Sequence, residues 1–133
     1  MPETRLNHNE LEVMRILWDK SPLKPVEVQA EFGWAIENAT LRSVLRGLME
    51  KGHVKRRRKG KAFYYRSVSS RRRILSTMTR RLADAFCGGS RADLLLHLVE
   101  KERLTGEEIE ELRRVAERRT APRANDSKDR EKP

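Results

Sequence analysis

Apolar residues in the first third of the chain recur at helical spacing, in three short blocks separated by breakers. Leu11, Met14, Leu17 and Trp18, with Ile16 beside them, form one apolar face, and Asn7 followed by Glu10 resembles a capping box, so a first helix is predicted from Asn7 to Asp19. Ser21-Pro22 interrupts the chain. Pro25 sits where the first turn of a helix tolerates a missing N–H, and Val26, Val28 and Phe32 before Gly33 predict a short second helix, Pro25 to Phe32. A third is predicted from about Asn38, where Leu41, Val44-Leu45 and Leu48-Met49 repeat until Gly52 supplies a left-handed stop.

After Gly52 the period changes from helical to extended. His53 to Arg58, a Lys59-Gly60-Lys61 turn and the aromatic run Ala62-Phe63-Tyr64-Tyr65-Arg66 predict a β-hairpin with a basic tip. A long amphipathic helix is expected from Ser69 to Gly88-Gly89, a further one from Ser90 and Asp93 to Glu102, and another opened by Thr105 and Glu108 and running to about Arg118. The predicted fold is mainly α with a small β-hairpin wing: a winged helix-turn-helix over residues 1–68, then a helical dimerisation arm over 69–119. Residues 120–133 lack apolar content and are expected to form a disordered tail.

Charge sharpens this picture. The chain carries 30 Lys and Arg against 20 Asp and Glu, a formal net charge of +10, and between Lys51 and Arg73 there are eleven basic residues and no acid. A polyanionic partner is implied, because cations so concentrated repel one another unless something anionic binds. The polar face of the third helix carries Asn38, Ala39, Arg42, Ser43 and Arg46 rather than the Glu-Lys mixture of a solvated surface. Arg can donate two bonds to guanine and Asn can pair with adenine in the major groove, so Asn38, Arg42, Ser43 and Arg46 are the candidate base-reading residues, with Asn38 and Ser43, near the helix start, open to base or phosphate. Thr40 near the helix start and Lys55, Arg56, Arg57, Arg58, Lys59 and Lys61 of the wing are the candidates for phosphate, and since strand residues alternate, about half of the wing cations are expected to make contact.

Ile74, Met78, Leu82, Phe86, Leu94, Leu95, Leu98, Ile109 and Leu112 give the arm more apolar surface than an isolated polar arm needs, and a second copy of the chain is the expected cover, forming a homodimer on a palindromic site of double-stranded DNA. Packing back onto its own domain is the alternative. His8, His53 and His97 fall in different elements and no metal motif or cofactor loop occurs, so neither a metal nor a cofactor is expected. The lone Cys87 is read as small filler at the end of an apolar stripe, and no catalytic constellation is visible, so the protein is not expected to be an enzyme. The absence of a leader-like or membrane-length apolar run predicts a cytoplasmic, nucleoid-associated protein without membrane insertion. A basic winged helix serving RNA or the ribosome, and a module meeting an acidic protein or membrane surface, are the competing readings.

The chain resembles the penicillinase repressor family, bacterial repressors of β-lactamase, methicillin-resistance and copper-transport genes. The resemblance spans Leu6 to Arg118. It rests on Leu11-Glu12-Val13-Met14-Arg15-Ile16-Leu17-Trp18, on Thr40 with Val44-Leu45-Arg46-Gly47-Leu48-Met49-Glu50-Lys51-Gly52, on Tyr64-Tyr65-Arg66, and on Leu104-Thr105 with Glu110-Glu111-Leu112. It implies a homodimeric winged-helix repressor that blocks a promoter by occupying a palindrome, with the helix from Asn38 reading bases and the last three helices making the dimer. In the antibiotic-responsive branch it implies release by a regulatory protease that cuts an Asn-Phe bond in the arm; His97-Leu98 stands at the matching position and departs from that pattern. Copper-sensing members carry paired Cys-x-Cys motifs, for which Cys87 alone supplies no counterpart. Asn38, Leu41 and Arg42 stand where relatives tend to carry tyrosine, valine and small residues, which implies a different operator.

Overall fold

The computed structural model describes residues 5–131, with side chains through residue 119. Its elements are α1 (His8–Lys20), α2 (Pro25–Glu31), α3 (Asn38–Glu50), β1 (Val54–Lys59), β2 (Ala62–Ser67), α4 (Arg71–Phe86), α5 (Arg91–Lys101) and α6 (Gly106–Glu131). This is the predicted order of a winged helix-turn-helix followed by helices. The expected tail, 120–133, lies beyond the residues whose side chains are described.

Most boundaries follow from local chemistry. Asn7 Oδ1 accepts from Glu10 N at 2.8 Å while Glu10 Oε1 accepts from Asn7 N at 2.9 Å, satisfying two backbone donors that the first turn of α1 leaves over. Pro25 occupies the first turn of α2. α3 ends where Gly52 turns to φ 84°, and the hairpin reverses at Gly60, φ 64°, the positive φ that a two-residue hairpin connection requires of its first residue. Ser70 caps α4 and Ser90 caps α5, each accepting from the backbone N–H three residues on, at 3.1 and 3.0 Å.

The chain divides into two compact units, Met1–Gly89 and Ser90–Pro133. The core of the first joins Val13, Met14, Ile16 and Leu17 of α1, Val28 of α2, Leu41, Leu45 and Leu48 of α3, and Val54 and Tyr65 of the hairpin, all buried. The hairpin is antiparallel with Arg56 opposite Tyr65 and Arg58 opposite Phe63. Its outer edge is pinned by the loop between α1 and α2, where Leu23 N donates to Tyr65 O at 2.9 Å and Tyr65 N to Leu23 O at 2.7 Å. Its base is closed by the buried His53, whose Nδ1 lies 2.7 Å from Ser69 Oγ, and by Trp18 Nε1 donating to Ser69 O at 2.7 Å.

Two features correct the sequence-based reading. The first unit runs to Gly89, past the boundary expected at Val68, because α4 packs on α1 and buries Ile74 to 1 % exposure. Ile74, assigned above to a dimer interface, therefore belongs to its own chain's packing. The second is that two acidic residues, Glu10 and Glu12, are buried, which periodicity gives no reason to expect. Glu10 Oε1 also accepts from Lys51 Nζ at 2.8 Å, and Lys51 Nζ donates to Arg5 O at 2.9 Å, tying the end of α3 to the start of α1. Glu12 accepts from Arg15 Nε and Nη2 at 3.0 and 2.7 Å and from Gly33 N at 2.9 Å. The Arg15 guanidinium holds the Glu12 carboxyl below its ordinary 4.5, burial opposes that, and the Gly33 N–H adds to it.

In the second unit α5 buries no side chain, and α5 and α6 do not pack on one another among the described residues. Leu95, Leu98, Ile109, Leu112 and Val115 are exposed.

Two outcomes are expected in urea or acid unfolding. Glu10→Ala should cost about 2 kcal/mol at fixed protein concentration, since it removes half of the capping box and takes from a half-buried lysine its only carboxylate partner among the described residues; a change under about 0.5 kcal/mol contradicts the network. Because the folded state lowers the pKa of Glu12, its contribution is complete above the ordinary value of 4.5 and is lost as pH falls below it. Wild type should then lose more stability than Glu12→Gln on acidification from neutral pH, and parallel curves contradict the assignment.

Candidate nucleic-acid interface

The rotation of α3 about its axis is set by its apolar residues. Leu41, Leu45 and Leu48 are fully buried, so Asn38, Thr40, Arg42, Ser43 and Arg46 face outward. Asn38, Arg42 and Arg46 follow one another at four-residue intervals and form a single stripe, with Ser43 alongside. Arg42 Nε donates to Asn38 Oδ1 at 2.8 Å, which holds both side chains extended along the helix before any ligand arrives.

The register of the hairpin sorts the wing cations into two sets. Arg56 and Arg58 share a face with Phe63 and Tyr65: the Arg56 guanidinium lies 4.0 Å from the centre of the Phe63 ring and donates to Tyr65 Oη at 3.2 Å. Arg58 sits 6.0 Å over the same ring and donates to Gly60 O at 3.1 Å. Lys55, Arg57 and Lys59 occupy the opposite face with Tyr64 and Arg66, and Lys61 lies in the turn; all four are exposed and no described side chain pairs with them.

Between α3 and the wing lies a cleft of about 260 Å³ lined by Lys24, Val26, Asn38, Arg42, Lys61 and Phe63 among others, with no carboxylate in its wall. Three cations from three separate segments thus converge on one opening, a setting that attracts an anion and repels none. Lys24 and Val26 were not singled out by sequence. Val26 was read as part of the apolar face of α2, yet it is 59 % exposed at this cleft, and no helical periodicity over seven residues distinguishes a core position from a rim position.

Of the arm residues, Leu82 and Phe86 on α4 are exposed and Met78 is half-buried, while on α5 Leu94 is half-buried and Leu95 and Leu98 are exposed, as are Ile109 and Leu112 on α6. Cys87, expected as core filler, is half-buried at the end of α4. No described helix is long and apolar enough to cross a membrane, and no described group of His, Cys, Asp or Glu is placed to hold a metal ion.

Comparison with known proteins places this geometry. The family model described as Penicillinase repressor matches residues 6–118. The penicillinase repressor of Bacillus licheniformis is 26 % identical over 117 residues, covering 85 % of this chain and 90 % of its own length. The methicillin resistance regulatory protein MecI of Staphylococcus aureus (strain N315) is 32 % identical over 110 residues, covering 80 % and 88 %. Among solved structures, the DNA-binding domain of the repressor BlaI matches 53 % of this chain and 90 % of its own at 25 % identity and a TM-score of 0.45. Bordetella bronchiseptica BpsR matches 90 % of this chain and 83 % of its own at 15 % identity and a TM-score of 0.50, a likeness of fold. With residues 6–118 matched by the family model, the chain belongs to the penicillinase repressor family and is a DNA-binding transcriptional repressor, not an enzyme.

Proposed function

We propose that this repressor acts as a homodimer that lays α3 of each copy in the major groove of a palindromic operator. The observation that carries this reading is the acid-free cleft where the Asn38–Arg42 stripe meets the wing. Arg42 and Arg46 donate to base edges, Asn38 and Ser43 complete the base-reading set, and Thr40 meets a phosphate at the helix start. Lys55, Arg57, Lys59 and Lys61, with which no described side chain pairs, take the phosphates flanking that groove. Arg56 and Arg58 are already engaged by Phe63 and Tyr65, and they shape the wing more than they grip DNA.

The arm supplies the second copy. Exposed Leu82, Phe86, Leu95, Leu98, Ile109 and Leu112 form more apolar surface than water tolerates on a stable monomer, and a two-fold dimer buries it while spacing two α3 helices for half-sites about one turn apart. His97 and Leu98 are both exposed on α5, so a regulatory protease that unwinds this helix locally would find the bond and, by cutting it, end dimerisation. Such a repressor works in the cytoplasm, on the nucleoid.

Selection of bound sequences from random duplex DNA tests the reading as a whole: an enriched two-fold motif is expected, and salt-sensitive binding without enrichment overturns it. Arg42→Ala should lower affinity by about 1–3 kcal/mol at one operator position and spare random DNA, whereas Arg57→Ala should weaken every duplex and reduce the salt slope by about one. Equal effects of the two on random DNA contradict the division between base and phosphate contacts. Leu98→Glu should give a monomer by light scattering and lose most operator affinity; an unchanged dimer mass removes Leu98 from the interface.

A further inference from the structure

α3, like α2, opens without a side-chain cap. Asn7, Ser70, Ser90 and Thr105 each accept a backbone N–H of the helix they open, but Glu37 before α3 makes no such side-chain bond. The first turn of the helix that carries Asn38 and Arg42 is therefore not fixed by its own cap. Its position is delegated to the turn that precedes it.

That turn, residues 32–37, is held from outside itself. Gly33 N donates to the buried Glu12 carboxylate at 2.9 Å, and a Cβ at Gly33 would stand 3.2 Å from the same oxygen, so the approach is as close as a backbone can make it. Trp34 Nε1 donates to Asn9 Oδ1 at 3.0 Å, and its indole stacks on the His8 imidazole with centroids 4.2 Å apart and planes within 3°. Phe32 meets the same indole edge-on at 5.3 Å. Gln29 Nε2 donates to Ile36 O at 2.8 Å and closes the turn against α2. Two consecutive residues of the turn, Gly33 and Trp34, are thus clasped to the first two turns of α1, and Glu12 is itself locked by Arg15.

We propose that Glu12, Asn9 and Trp34 are positioning residues for operator recognition, setting the depth and angle at which the first turn of α3 meets the bases. Glu12 is 8 % exposed and acts without touching DNA. The inference rests on α3 being the base-reading helix. Its physical basis is a difference in tolerance: a bidentate arginine-base pair survives only small shifts, because hydrogen bonds weaken steeply away from about 2.9 Å and linearity, whereas flexible wing lysines and arginines follow a phosphate over a larger range. Loosening the clasp should consequently cost specificity before it costs general affinity for DNA.

The test uses the full chain in anisotropy titrations against an operator duplex recovered by selection and a scrambled duplex of equal length, with thermal unfolding alongside. Glu12→Ala should weaken operator binding about tenfold or more while scrambled DNA changes by less than about twofold, a loss of the size of one good base contact. Glu12→Gln keeps an oxygen for Gly33 N–H and should retain most of the ratio. A folded Glu12→Ala protein with an unchanged ratio, or with equal losses on both duplexes, overturns the proposal. If Glu12→Ala does not fold, Asn9→Ala decides, since it removes the hydrogen bond that holds the Trp34 indole and leaves Glu12 in place: a ratio reduced several-fold supports the clasp and an unchanged one overturns it. Arg42→Ala and Arg46→Ala are measured in parallel. If the clasp variants lower the ratio and neither arginine does, base reading by these arginines is wrong; if the arginines lower it and the clasp variants do not, the clasp proposal is wrong and the reading of α3 stands.

Discussion

The burial of Leu41, Leu45 and Leu48 is the constraint on which the rest of the molecule depends. These side chains seat α3 on the apolar face of α1, and because they lie on one side of the helix their burial leaves Asn38, Arg42 and Arg46 no direction but outward. The same contact therefore aims the polar stripe of α3. Truncating Leu45 would lose a few kcal/mol of packing and, with it, the reason for α3 to hold that rotation. Core packing and the direction of that stripe share one set of residues here.

Around that helix the charges are divided rather than pooled. Hairpin alternation gives Phe63 and Tyr65 two arginines to hold and leaves Lys55, Arg57 and Lys59 on the other face, where no described side chain pairs with them. The cleft beside Asn38 and Arg42 collects Lys24 and Lys61 from elements far apart in the chain. A net positive charge thus becomes a local field beside a groove-sized helix. The buried carboxylates oppose this field least where they stand, because Glu10 and Glu12 are each neutralised by a basic neighbour, Lys51 and Arg15.

The second unit makes the opposite use of apolar residues. In the first unit leucines form an internal core, whereas Leu95, Leu98, Ile109 and Leu112 remain exposed on helices that, among the described residues, do not pack on one another. α4 stands between these economies, with Ile74 and Ala83 buried on one side and Leu75, Leu82 and Phe86 exposed on the other. One stripe of α4 is thus committed to its own unit and another is left uncovered, the arrangement on which the proposed dimer rests.

Much of this was legible in the sequence because it depends on neighbours three or four residues apart. The capping pairs Asn7-Glu10 and Thr105-Glu108, the Pro25 start, the stops at Gly52 and Gly60 and the apolar stripe of α3 are short-range chemistry, and the motifs carrying the family resemblance lie in these same stretches. What only the tertiary structure decided involves partners distant in the chain. Glu12 meets Gly33 across 21 residues, Trp34 meets Asn9 across 25, Lys51 meets Glu10 across 41 and Trp18 meets Ser69 across 51. A glutamate on a helix looks solvated until another segment is folded over it, and Ile74 looks like interface until α1 covers it. Likewise, alternation shows that the wing cations divide between two faces, but only the packing of the hairpin shows which face carries the aromatic rings that hold Arg56 and Arg58. Local hydrogen bonding and periodicity specify the elements; burial and charge pairing are properties of the surfaces those elements present to one another, and these exist only once the chain has closed on itself.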